Sequence, residues 1–210
     1  MNYTFCTMYA FLLAFFPTHT MQLVNFFTTM KKRMPVHIEV PVSGAATISL
    51  APEQEKIKSI STYGLIGCTA TITCMKNTKG KHVVLTHFPY RDTEHAPALE
   101  QHIRPLVAQD KPEAVTFITI TPRKNEELHD EHHEAYCEQM KNELETVVRT
   151  HSGCDNKDIR AISVEYNVSL RPIPSRMEYP KTDVFVRISN SNKTFVEITG
   201  FGDRQNFELE

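Results

Sequence analysis

Residues 68–87 read CTATITCMKNTKGKHVVLTH. Cys68–Met75 and His82–His87 are rich in β-forming residues, and Lys76-Asn77-Thr78-Lys79-Gly80 between them is rich in turn formers. This predicts a β-hairpin. With the turn centred between Asn77 and Thr78, Ile72 would face Val83, Ala70 would face Leu85 and Cys68 would face His87. Side chains on one face of a strand recur every second residue. Cys68, Ala70, Ile72 and Cys74 therefore share a face with Val83, Leu85 and His87. Apolar residues meet along this face until the mouth of the hairpin, where a thiol is expected opposite an imidazole.

Working outward, Val36–Val40, Ala46–Leu50 and Ile57–Thr62 read as strands before the hairpin. Glu94–Ala108 carries Leu99, Ile103, Leu106 and Val107 at helical spacing, with Pro105 expected to kink or shorten the helix. Ala114–Thr121 alternates Val and Ile with Thr as a buried strand does. Asn125–Thr150 is the strongest helix, ended by Gly153. Ile162 to Val168, Val184 to Ile188 and Phe195–Thr199 follow as strands, and the tail from Gly200 is polar. This order predicts an α/β (α+β) domain over residues 35–210, with two main helices packed on a mixed or antiparallel sheet.

The chain has 210 residues, of which 40% are hydrophobic and 23% charged, and a formal charge of −2, which is ordinary globular composition. The basic residues are scattered apart from Lys31, Lys32 and Arg33, so no nucleic-acid partner is expected. Residues 1–34 differ from the rest: Met8–Phe16 is an uninterrupted apolar run ending at Pro17. This hydrophobic N-terminal extension is a candidate anchor or signal. It lacks the basic start and small-residue cleavage site of a secretory signal and the roughly 20 apolar residues of a span. Five cysteines without a C-x-x-C pair argue against a disulfide framework or a zinc ribbon. Reduced thiols and a cytoplasmic location are expected, with membrane anchoring or secretion through residues 1–29 as the alternative.

Cys68 and His87 are the candidate chemical centre. A neighbouring imidazolium stabilises a thiolate and lowers the thiol pKa. Gly64 and Gly67 permit a sharp turn before Cys68 and expose N–H groups suited to an oxyanion hole. The competing reading is a buried structural cysteine beside a core histidine.

The stretch Thr62-Tyr63-Gly64-Leu65-Ile66-Gly67-Cys68-Thr69-Ala70, followed by Leu85-Thr86-His87-Phe88-Pro89, resembles the CheD-like chemotaxis receptor glutamine deamidases. It is also similar to the catalytic segment of the cytotoxic necrotizing factors. The resemblance spans about residues 58–90. It implies a CheD-like fold, a Cys68 nucleophile, a His87 base and a Thr62 that helps hold the site. The implied activity is hydrolysis of a glutamine side-chain amide in a protein substrate, with no cofactor. The family's usual Gly-Ser-Cys is replaced here, since Gly67 directly precedes Cys68.

Two other readings stand beside this one. The same fold, catalytically inactive, would serve as a protein-interaction module. The third is a metal site on the long helix, where His129, His133 and Cys137 follow one another at i, i+4. No third strong ligand is evident beside the two histidines, and semi-buried histidines next to an acidic face account for the same pattern, so no metal is expected.

Overall fold

The computed structural model describes residues 36–53, 57–123, 133–168, 181–189, 193–200 and 204–209. The elements are β1 (Val36–Glu39), β2 (Gly44–Leu50), β3 (Lys58–Leu65), β4 (Cys68–Asn77), β5 (Gly80–Pro89), α1 (His95–Gln109), β6 (Ala114–Pro122), α2 (His133–His151), β7 (Ile159–Tyr166), β8 (Thr182–Ile188), β9 (Thr194–Thr199) and β10 (Arg204–Leu209). The expectations for residues 1–34, for His129 and for the start of the long helix lie outside the described residues.

The α+β class and the two packed helices are as expected, but the strands divide between two five-stranded sheets. The outer sheet runs β1-β3-β8-β9-β10 and the central sheet β2-β5-β4-β6-β7. Each is mixed: β1 lies parallel to β3 and β7 parallel to β6, and the other pairs are antiparallel. Alternation explains the layering. Ala70, Ile72, Val83, Leu85, Ile118 and Ile120 of the central sheet pack with Ile60, Val184, Val186 and Ile188 of the outer sheet. On the opposite face Met75, Val84, Val115 and Phe117 receive Leu99 and Ile103 of α1 and Met140, Leu144 and Val148 of α2. Both faces of the central sheet are thus covered, which is why β4, β5 and β6 carry few exposed residues.

Two further expectations are corrected. α1 continues four residues past Pro105 to Gln109, so Pro105 does not end it. The ring faces solvent there, and its cost is the lost backbone hydrogen bond and steric pressure on the preceding turn. Pro105→Ala is expected to stabilise the protein by about 1 kcal/mol or more, read as a rise in Tm. The polar tail also forms a strand: β10 pairs antiparallel with β9 from Arg204↔Thr199 to Leu209↔Thr194. An edge strand needs only a template for its backbone, and Leu209 is its one fully buried side chain. No helix among the described residues is long and apolar enough to cross a membrane.

Candidate active site

The β4–β5 hairpin forms, in a register two residues from the expected one. Asn77 pairs with Gly80 across a two-residue turn, so Ala70 faces His87 and Cys68 faces Pro89. The turn chemistry accounts for the difference. The Asn77 side-chain oxygen accepts the Lys79 N–H at 3.0 Å, and Gly80 holds a φ of 134° beside the Leu50 carbonyl, where a Cβ would lie 2.0 Å from that oxygen. A shift of two keeps every residue on its face. Cys68 and His87 therefore remain on one face, as diagonal neighbours instead of an opposed pair. Diagonal positions lie within reach of long side chains.

His87 is completely buried. Its in-sheet neighbours are Ala70 on β4 and Gly44 on β2, two small residues that leave space for an imidazole. Thr62 of β3 reaches across from the outer sheet, its Oγ1 2.6 Å from His87 Nδ1. The Thr62 hydroxyl donates to the Val40 carbonyl at 2.8 Å. Its single proton is thus committed, so His87 Nδ1–H is the donor and Thr62 Oγ1 the acceptor. That selects the tautomer with a lone pair on Nε2. Nε2 is buried and has no hydrogen-bond partner among the described residues. Burial also lowers the His87 pKa below the ordinary imidazole value, so the ring is neutral at neutral pH.

Cys68 begins β4 and is half-buried at the rim of the layer between the sheets. The expected thiol–imidazole contact is not made. Cys68 Sγ instead lies 4.0 Å from the Ile66 carbonyl. The low thiol pKa expected from an imidazolium is also corrected: burial raises the Cys68 pKa, opposed by a backbone hydrogen bond of Ile66. The resting pair is a thiol and a neutral imidazole.

Gly64 and Gly67 both adopt positive φ, 73° and 70°, at the corner where the chain passes from the outer to the central sheet. The Gly64 N–H is taken by Asp183 Oδ1 at 2.9 Å, which removes it from the expected set of oxyanion donors. The Gly67 carbonyl accepts the Tyr90 N–H at 3.3 Å. Tyr166 is a site residue that sequence reasoning missed. Its Oη accepts the Cys68 N–H at 3.0 Å and donates to the Cys68 carbonyl at 2.7 Å. Nothing local marked it, because it belongs to a strand 98 residues away.

On the helix-facing side of the same hairpin, His95 is buried against Phe88, ring centroids 4.8 Å apart. Its Nε2 lies 2.6 Å from Thr86 Oγ1, which lies 2.6 Å from Thr71 Oγ1. Burial is the main cause that lowers its pKa to about 4, opposed by Asp92 and reinforced by His87. Of the helix candidates, His133 Nε2 lies 3.0 Å from the Pro122 carbonyl, to which it donates, and 3.5 Å from Cys137 Sγ. Among the described residues no group of three or more His, Cys, Asp and Glu side chains is placed to hold a metal ion.

No family model and no curated protein matches the sequence. Among solved structures, the chain is weakly similar to the crystal structure of the C-terminal domain of CNFy from Yersinia pseudotuberculosis. The identity is 10% and the TM-score 0.37, over 82% of this chain and 62% of that one, so the chain spans less than two thirds of that structure.

Proposed function

We propose that the chain is a cysteine-dependent amidohydrolase acting on a glutamine side chain of a protein. The observation that carries this reading is the Thr62–His87 hydrogen bond, which leaves a buried, unpartnered Nε2 on the face of the half-exposed Cys68. A free lone pair is what a general base needs, and of the unpartnered ring nitrogens of His87, His95 and His133 only that of His87 shares the hairpin face of Cys68. Cys68 would turn from Ile66 and pass its proton to His87 Nε2 as sulfur bonds to the carboxamide carbon. Collapse of the tetrahedral intermediate expels ammonia, which takes the proton back from the imidazolium and leaves a thioester. Water, deprotonated by His87, then attacks the thioester, releasing glutamate and restoring the thiol. Tyr63 and Ile66, exposed at the glycine corner, suit contact with a protein surface.

A second reading is favoured by the resting thiol turned away from His87: the fold would act as a binding module with an inert Cys68. Two measurements separate the readings. One is ammonia release from a glutaminyl peptide, with Cys68→Ser as control. The other is Cys68 alkylation by iodoacetamide across pH. The hydrolase reading expects Cys68-dependent ammonia release. It also expects an alkylation profile whose midpoint lies above that of an ordinary thiol, in line with the raised pKa. Absence of ammonia release from glutaminyl peptides of varied sequence, with alkylation indifferent to loss of His87, would favour the binding module.

A further inference from the structure

Cys68 lies where the pairing of β4 to β6 has ended. The last registered pair at this end is Ala70 with Ile120. Two residues further on, the same register would set Cys68 against Pro122, which has no N–H to give. The Cys68 backbone meets the Tyr166 phenol instead, which accepts its N–H and donates to its carbonyl. Gly67, directly before Cys68, adopts the left-handed conformation, and the Cys68 N–H points at the phenol oxygen. Consecutive amides turned this way form a small anion-binding concavity. In acyl transfer such donors hold the oxygen of the tetrahedral intermediate.

We propose that Tyr166 caps the oxyanion-binding concavity of Cys68 in the resting protein, and that the carbonyl oxygen of an acyl substrate takes the phenol's place. This rests on the reading of Cys68 as a nucleophile. The phenol is buried, and burial keeps it protonated. It therefore offers the Cys68 amide a neutral oxygen, whereas an oxyanion would offer a charge-assisted hydrogen bond of roughly twice the strength. A small open depression lined by Tyr166, Asn167, Thr182 and Gly200 among others lies beside the ring.

The test compares two reactions of one thiol. With p-nitrophenyl acetate, the Cys68 thiolate attacks the acetyl carbon, charge gathers on the carbonyl oxygen, and p-nitrophenolate leaves to give the S-acetyl thioester. With iodoacetamide, sulfur displaces iodide and no oxyanion forms. Tyr166→Phe removes Oη and keeps the ring. The ratio of Cys68 acetylation to alkylation rates is expected to rise by roughly tenfold or more in this variant of the full chain. An unchanged ratio would overturn the proposal, and a lower one would make the phenol a donor to the oxyanion instead of its competitor. Tyr166→Met asks the same question should the Phe variant fail to fold. In the unaltered protein, S-acetylation of Cys68 is expected to shift the amide proton resonances of Gly67 and Cys68 together, and resonances that stay in place would equally overturn it. Both reactions indifferent to loss of His87 would defeat the nucleophile reading, and the ratio would still report on Tyr166 by itself.

Discussion

Acidification from pH 7 to pH 4 is expected to lower the unfolding free energy by about 3 kcal/mol through His95 alone. His95 has a pKa of about 4 in the folded protein, because burial between the central sheet and α1 penalises the cation. The same imidazole in the unfolded chain titrates near its ordinary value of 6.5. Between these values the unfolded state binds a proton that the folded state refuses. The stability tied to a neutral His95 is thus fully present above about pH 6.5 and is lost as pH falls towards 4. About half of the loss falls above pH 5.5. His87, His82 and His102 are also held below the ordinary value by burial and act in the same direction. Urea midpoints at a series of pH values check this: they should be flat just above pH 7 and fall below about 6.5. A midpoint unchanged between pH 7 and 5.5 would show that these histidines are not held neutral by the fold.

His87→Ala is expected to slow acetylation of Cys68 by p-nitrophenyl acetate at pH 7 by about 10²- to 10⁴-fold. The reason lies in the resting state. The Cys68 thiol is pushed up and the His87 imidazole down, so no standing thiolate–imidazolium pair exists to be drawn on. The proton must leave sulfur during attack, and in the proposed hydrolysis the buried, unpartnered His87 Nε2 takes it. At a pH above the thiol's own titration the base has nothing left to do. There, alkylation by iodoacetamide should proceed at nearly the same rate with and without His87. A large loss at both pH values would mean that the substitution had displaced Cys68, and no loss at pH 7 would remove His87 from the chemistry.

Much of this was legible in residues 68–87. The alternation that put Cys68 and His87 on one face is the alternation of the folded hairpin. The pairing itself was misjudged by two residues, because the turn is set by Asn77 folding over Lys79 and by Gly80 passing against Leu50, a residue outside the hairpin. The helix expected over Glu94–Ala108 forms over His95–Gln109 without the shortening that Pro105 suggested, anchored by Leu99 and Ile103 in the core against the central sheet. The β10 strand gave no signal, since most of its side chains face solvent and β9 supplies the template.

Alternation, helical spacing and turn residues are properties of neighbouring positions, so they determined by themselves the hairpin, the two helices, the α+β class and the shared face of thiol and imidazole. Long-range contacts decided the rest. The tautomer of His87 is set by Thr62, 25 residues away on the other sheet, and the Cys68 N–H is bonded to Tyr166 from 98 residues away. The division of the strands into two sheets has the same origin. A strand's own pattern says which side chains must be buried, while which sheet buries them depends on partners that meet only when the chain is folded.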